Sequence, residues 1–180
     1  MNNTPASITL RPLTLEDYPA WYTGYAKRLP SQHPYDEGAI DMAHASIDTY
    51  AAMIRYHATR AQAHEEYILG IFSSLTHEHL GMVSINILDT DLKWAELGYQ
   101  IHNHQWRKGY GYAALQAAIE RMPELSIRRL EAYTYEDNLA SRSLLAKAGF
   151  ELEGIRRSFL YDNGIWNDQH VYVYINEDIV

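Results

Sequence analysis

The sequence predicts one α/β domain built on a mixed, mainly antiparallel sheet flanked by helices. Three observations predict it. The chain has 180 residues, which suits one domain with a real core and barely allows two. A helical spacing of apolar residues at 40–58 gives way to strand-like runs from Tyr67 onward. A single helix-period segment, 109–122, then sits between two strand-like runs, the arrangement of a crossover joining parallel strands.

In chain order, Ile8–Arg11 reads as the first strand, ended by Pro12. Thr14 is placed to cap a helix with Glu16 and Asp17 in its first turn, where the dipole favours acids. Pro30 and Pro34 break the pattern. Ile40, Ala43, Ile47, Ala51, Ile54 and Ala58 form one apolar helical face. That face is expected on the domain's own sheet rather than on a membrane, because the opposite face is not basic. Residues 68–73, 80–88 and 94–101 are rich in β-branched and aromatic residues. The turns between them fall at His77-Glu78-His79 and Asp89-Thr90-Asp91. Connections this short imply an antiparallel meander. Residues 109–122 predict a helix with Leu115, Ala118, Ile119 and Met122 on one face, stopped by Pro123. Arg129–Thr134 predicts a strand parallel to the one before that helix. Asn138 caps a short helix that ends at Gly149, and a strand starts at 150–153. Asp162-Asn163-Gly164 between apolar runs predicts a hairpin, and Val171, Val173 and Ile175 alternate in a last strand. With no repeat or linker-like stretch, one domain over residues 1–180 is expected.

Composition excludes several classes of function. There is no cysteine, so disulfides, thiolate metal sites and a cysteinyl-acyl intermediate are excluded. A formal net charge of −8 argues against a general nucleic-acid binder and suits a cationic partner. The same charge also serves solubility. No run of about 18 apolar residues occurs, so no membrane span is expected. Residues 1–10 carry neither a basic start nor an apolar run, and the expected location is cytoplasmic.

The informative segment is Glu96-Leu97-Gly98-Tyr99-Gln100-Ile101, followed by His102 to Gln105 and then Trp106-Arg107-Lys108-Gly109-Tyr110-Gly111. A strand feeds a glycine-containing turn that opens a helix. Such a turn leaves backbone N–H groups unpaired and adds the positive end of the helix dipole, which together make an anion site. Gly109 and Gly111 let the backbone approach a phosphate, and Arg107 and Lys108 add charge. The implied chemistry is pyrophosphate binding. A rival reading exists. Residues 109–114 match the dinucleotide fingerprint G-x-G-x-x-A, with Glu131 about twenty residues on. That reading requires repeated βαβ units, whereas here antiparallel strands surround a single crossover.

These residues resemble motif A of the GNAT acetyltransferases, of the form Q/R-x-x-G-x-G/A. The resemblance is carried by Ala95-Glu96-Leu97-Gly98-Tyr99 and by Trp106-Arg107-Lys108-Gly109-Tyr110-Gly111-Tyr112-Ala113-Ala114-Leu115. Asn138-Leu139-Ala140-Ser141, Lys147-Ala148-Gly149-Phe150 and Glu153-Gly154 follow in the family's order, and Leu10-Arg11-Pro12-Leu13 fits its start. The similarity spans roughly residues 8–176 and is closest to the RimJ/RimL branch, which acetylates ribosomal-protein N-termini. It implies the GNAT fold and acetyl-CoA as cosubstrate, with no metal. Gln100, Ile101 and His102 would face the pantetheine arm. Trp106, Arg107, Lys108, Gly109, Tyr110, Gly111 and Tyr112 would hold the pyrophosphate through backbone amides. Asn138 and Ser141 would sit beside the thioester and the sulfur. Trp106 occupies the Q/R position, which removes a side-chain donor but leaves the amides. Many relatives dimerise, so a homodimer is compatible with the resemblance.

Family members usually transfer acetyl directly to a neutral amine. Neutralising an α-amino group with pKa about 7.8 costs roughly 1 kcal/mol at pH 7, against roughly 4.6 kcal/mol for a lysine. An N-terminal acceptor therefore needs only a weak base. Glu96, ten residues before Trp106, is the candidate base, with Glu131 the weaker alternative. Many relatives place a tyrosine acid seven residues after the motif's Asn. Here that position is Leu145, so Ser141 is the candidate proton donor. The thiol of CoA is also acidic enough to leave unaided. His102 and His104 alternate as two metal ligands would, but a third ligand is not evident. The reading is N-acetylation of a protein N-terminus, ribosomal by resemblance, with the acceptor bounded by loops 31–38 and 159–166. The alternatives are acetylation of a small amine, such as a polyamine or aminoglycoside, and a catalytically idle acyl-CoA-binding module.

Overall fold

The computed structural model describes residues 6–162 and 164–179. Asn163 of the expected hairpin turn and residues 1–5, half of the N-terminal stretch expected to carry no leader, lie outside them. Among the described residues, seven strands form one sheet in the order β1-β2-β3-β4-β5-β7-β6. The strands are β1 (Ile8–Arg11), β2 (Glu66–Ser73), β3 (His79–Asp89), β4 (Trp94–Ile101), β5 (Arg129–Thr134), β6 (Glu151–Asp162) and β7 (Ile165–Ile175). Every neighbouring pair is antiparallel except β4 and β5, which are joined through α3 (Tyr110–Ile119). The dinucleotide reading fails here, because a doubly wound sheet needs several parallel pairs.

The β1 end is locked by a corner. Asp17 accepts from the Thr14 amide at 2.8 Å and from Arg11 at 2.6 and 2.7 Å. Thr14 is the N-cap, as expected, and forms a capping box with Asp17, but the element it opens is a 3₁₀ turn, Leu15–Asp17, that precedes α1 (Tyr18–Ala26). The next helix also differs from the sequence pattern. It is α2 (Ile47–Gln62), capped by Ser46, which accepts from the Thr49 amide at 3.2 Å. Ile40 and Ala43 lie outside it, and Ile47 is exposed. The buried face is centred on Tyr50, whose hydroxyl donates to Thr14 O at 2.9 Å. A local N-cap outweighed a continued apolar spacing.

The helices cover both faces of the sheet. Leu115 and Ala118 of α3, and Leu145 and Ala148 of α4 (Leu139–Ala148), join Ile71, Ile85, Leu97 and Leu130 in the main core. A second cluster on the other face packs Leu13, Tyr50 and Phe72 with Tyr18, Trp21 and Met53 of α1 and α2. Leu115, Leu130 and Leu145 are fully buried, and truncating one to alanine costs about 2–5 kcal/mol. No helix among the described residues is long and apolar enough to cross a membrane.

Candidate active site

The site begins where two parallel strands part. β4 pairs with β5 only at Trp94, Ala95 and Glu96. Beyond Glu96, β4 stays on β3 through Ile101, while β5 stays on β7 through Thr134. The wedge between them opens into a cleft of ≈ 2390 Å³, lined by Tyr99 and Ile101 on one arm and Thr134 and Tyr135 on the other. At Gly98 a Cβ would lie 2.6 Å from Ser84 Oγ on β3, so a larger residue there would turn that hydroxyl aside.

The end of β4 is tied off by Trp106, whose Nε1 donates to Ile101 O at 2.8 Å. The Trp106 side chain thus clips the strand end, and its backbone amide donates to Asn103 O at 3.4 Å. The chain then turns through two left-handed residues, Arg107 (φ 61°) and Gly109 (φ 84°), and α3 begins. The first helical bond runs from Ala113 N to Gly109 O at 3.1 Å, so the amides of Tyr110, Gly111 and Tyr112 start the helix without a helical acceptor. These residues, with Arg107 and Lys108, line the cleft. Lys108 Nζ is held by Gln105 at 2.7 Å. Gly111 lies close to α4, since a Cβ would sit 2.9 Å from Leu144 Cδ2.

Gln100 and Ile101 line the cleft, Gln100 donating to Glu37 at 2.8 Å. His102 is not brought there. It is fully buried on the other side of the strand, its Nε2 2.9 Å from Nδ1 of buried His79. Burial holds both imidazoles below the ordinary histidine range, His102 further lowered by His79. His104 stacks on His102 at 5.7 Å, and no three metal-ligating side chains gather among the described residues.

Across the wedge, Asn138 caps α4 by accepting from the Ser141 amide at 3.2 Å. Ser141 Oγ lies 2.9 Å from Tyr99 Oη, a hydroxyl pair joining β4 to α4 inside the cleft. Burial keeps the Tyr99 phenol above its ordinary range, so it stays protonated. Leu145 is fully buried in the core, and the hydroxyl beside Ser141 is that of Tyr99. The sequence reading passed over Tyr99. Strand alternation could have found it, because it puts Tyr99 on the same face as Leu97 and Ile101.

Glu96 faces the other side of the sheet. It lines a smaller cavity of ≈ 350 Å³ with Trp94, Tyr133, Arg156, Phe159 and Gln169. Half-burial raises its carboxyl above the ordinary carboxylate range; Arg156 opposes this and Glu131 adds to it. Glu131, its register partner, is 2% exposed and fully engaged. It accepts from Arg129 at 2.7 Å, from Tyr133 Oη at 2.5 Å and from Arg156 at 3.3 Å. Of the two carboxylates, Glu131 is held by three donors, whereas Glu96 is the half-buried one whose pKa is raised.

Segment 31–38 lies across the cleft. His33 stacks on Trp106 at 5.1 Å, Tyr35 stacks on Tyr135 at 4.7 Å, and the Tyr35 hydroxyl donates to Asp137. A buried Arg28–Asp36 pair at 2.9 Å, each side chain 1% exposed, anchors it. The segment at 159–166 is not a free loop but the end of the β6–β7 hairpin, from which Leu160 and Asp162 reach the cleft. The large cleft, with the amides that open α3, and the smaller cavity, with a carboxylate of raised pKa, share Tyr133, Leu160 and Gln169 in their walls.

A family model described as an acetyltransferase (GNAT) domain matches residues 7–151. The probable N-acetyltransferase YjcK of Bacillus subtilis (strain 168) is 34% identical over 135 residues, 74% of this chain and 75% of its own. The [ribosomal protein uS5]-alanine N-acetyltransferase of Escherichia coli (strain K12) is 33% identical over 104 residues, 57% of this chain and 54% of its own. Mycobacterium smegmatis RimJ, solved in complex with CoA-disulfide, superposes with a TM-score of 0.76 at 22% identity, over 97% of this chain and 85% of its own. At that identity the likeness concerns the fold.

Proposed function

The chain belongs to the acetyltransferase (GNAT) family and is an N-acetyltransferase, and on that premise we propose that it moves the acetyl group of acetyl-CoA to the α-amino group of a protein N-terminus. The observation that carries this reading is the wedge between β4 and β5, with a glycine turn of free amides on one side and half-buried Glu96 on the other. The residues present fit the cosubstrate. The amides at 110–112, backed by the α3 dipole, Arg107 and Lys108, suit a pyrophosphate. The cleft exceeds the ≈ 300–1,000 Å³ of ordinary small-molecule pockets and leaves space for a second reactant.

In this reading the amine nitrogen attacks the thioester carbonyl, forming C–N as C–S breaks. Glu96 takes the amine's proton, directly or through water. The demand on it is small, because an α-amine needs only roughly 1 kcal/mol to be neutral at pH 7. The Tyr99–Ser141 pair offers a hydrogen bond to the departing sulfur. The E. coli relative, named for the alanine of ribosomal protein uS5, supports a ribosomal acceptor. A small polyamine is the second reading, favoured by the acidic side chains Glu37 and Asp162 on the cleft wall.

Calorimetric titration with CoA tests the first half of the proposal, beside a Gly109→Val/Gly111→Val variant checked for fold by circular dichroism. Micromolar binding that disappears in the folded variant is expected, and a folded wild type that binds no CoA overturns it. Mass spectrometry with acetyl-CoA and either an alanine-initiated peptide or spermidine separates the acceptors. Acetylation of spermidine alone overturns the N-terminal reading, and CoA binding without turnover of either amine marks an idle module.

A further inference from the structure

Gln169 lies on β7, on the sheet face that carries Glu131 and Tyr133, since Val171 and Val173 are the register partners of Tyr133 and Glu131 and side chains alternate along a strand. It is 6% exposed, yet it lines both the large cleft and the small Glu96 cavity, so it stands where the two meet. Its Oε1 is buried and has no hydrogen-bond partner among the described residues. Buried acceptors are almost always satisfied, so such an exception asks for a reason. Two donors on this wall are turned to Glu131, Tyr133 Oη at 2.5 Å and Arg156 Nη2 at 3.3 Å, and a third, the indole N–H of Trp94, is buried and bonds neither Gln169 nor any other described residue. Glu96, also on this wall, is itself an acceptor. His170 next to it is also buried with both ring nitrogens unpartnered, but it does not line the cleft.

We propose that Gln169 Oε1 is a specificity-determining acceptor for the incoming amine, holding one N–H while Glu96 takes another, so that the enzyme selects primary over secondary amines. A neutral primary amine carries two N–H bonds. One is held by Gln169 during attack and stays on nitrogen in the product amide. The other is lost to Glu96 as C–N forms and C–S breaks. A neutral secondary amine has a single N–H, and giving it to the base leaves the buried carbonyl of Gln169 empty. This rests on the acceptor-amine reading above.

The test compares an alanine-initiated peptide with the same peptide N-methylated at its first residue, using acetyl-CoA and the full chain. The wild type is expected to favour the unmethylated peptide by about tenfold or more in kcat/KM, the size of one lost hydrogen bond to a polar group. Gln169→Met keeps the length and removes the acceptor. It should raise KM for the unmethylated peptide about tenfold, leave KM for acetyl-CoA within about twofold, shrink the methylation ratio towards one and not lower the thermal midpoint. Gln169→Glu, which retains an oxygen, should restore the ratio. A wild-type ratio near one overturns the inference with no variant needed. A Gln169→Met protein that loses both peptides equally and melts earlier overturns it too, since that is the behaviour of a structural residue. Turnover of neither peptide by the wild type sinks the N-terminal reading and this inference together, whereas turnover of both at equal rates sinks the inference alone.

Discussion

On the α3 side of the cleft the open groups are backbone amides from one stretch, residues 110–112, whereas the polar wall of the Glu96 cavity is made of side chains from four strands: Glu96 on β4, Tyr133 on β5, Arg156 on β6 and Gln169 on β7. The first half depends on φ angles and on the absence of Cβ atoms. The second depends on sheet register and on which charges are already paired. The contrast is sharpest between Glu96 and Glu131, register partners on one face. One is half-buried with a raised pKa, and the other is locked by Arg129, Tyr133 and Arg156. Position on a strand does not assign a role to a carboxylate; its partners do.

The largest effect should follow from Glu96→Gln. Loss of a general base costs about 10²–10⁴-fold in kcat, with KM for acetyl-CoA unchanged, as read by acetylated peptide over time. Full turnover in this variant removes Glu96 as the base. The same group sets a pH signature. Its carboxylate must be unprotonated to act, so kcat should fall as pH drops through a value above the ordinary carboxylate range, and Glu96→Gln should abolish that limb.

Glu131→Gln should instead act on the fold. It breaks a buried ion pair and should cost about 3 kcal/mol, measured as a lower urea midpoint. A variant with native stability and lost turnover would exchange the roles of the two glutamates.

On the backbone side, Gly109→Val places a β-branched residue at φ 84°, a strain of roughly 1–2 kcal/mol or tenfold in an equilibrium constant. CoA affinity should fall by at least that much in calorimetry while the fold persists. Unchanged affinity would mean that the turn is not the anion site.

The smallest effect lies outside both halves, at the buried pair His79 and His102. Burial depresses both pKa values in the folded state, so between those values and the unfolded value of about 6.5 the unfolded chain binds more protons. Their contribution to stability is full above about pH 6.5 and is lost as pH falls below it. Urea midpoints measured from pH 7 to pH 5 should decline, and His79→Gln with His102→Gln should flatten the decline.

Much of this molecule was legible in the chain. Trp94–Ile101 and Arg129–Thr134 were read with the bounds they have, the parallel crossover through α3 was expected, and Gly109 opens that helix. These features rest on local rules: alternation, glycine, caps. The start of α2 was misread because an apolar spacing says nothing of the Ser46 cap that begins the helix at Ile47. His102 follows β4 on the same spacing, but its side chain turns to His79, a residue 23 positions earlier.

The sequence by itself determined the fold class, the family and the turn of free amides, because each is encoded by neighbours along the chain or by an ordered set of motifs. Only the tertiary structure decided that Tyr99 meets Ser141 across 42 positions and that the Glu131 carboxylate is held by three donors while half-burial raises the pKa of Glu96. It also left a buried oxygen of Gln169 facing the site. The physical reason is that pairing and desolvation are properties of groups brought together by sheet register, and register joins residues whose separation in the chain carries no signal.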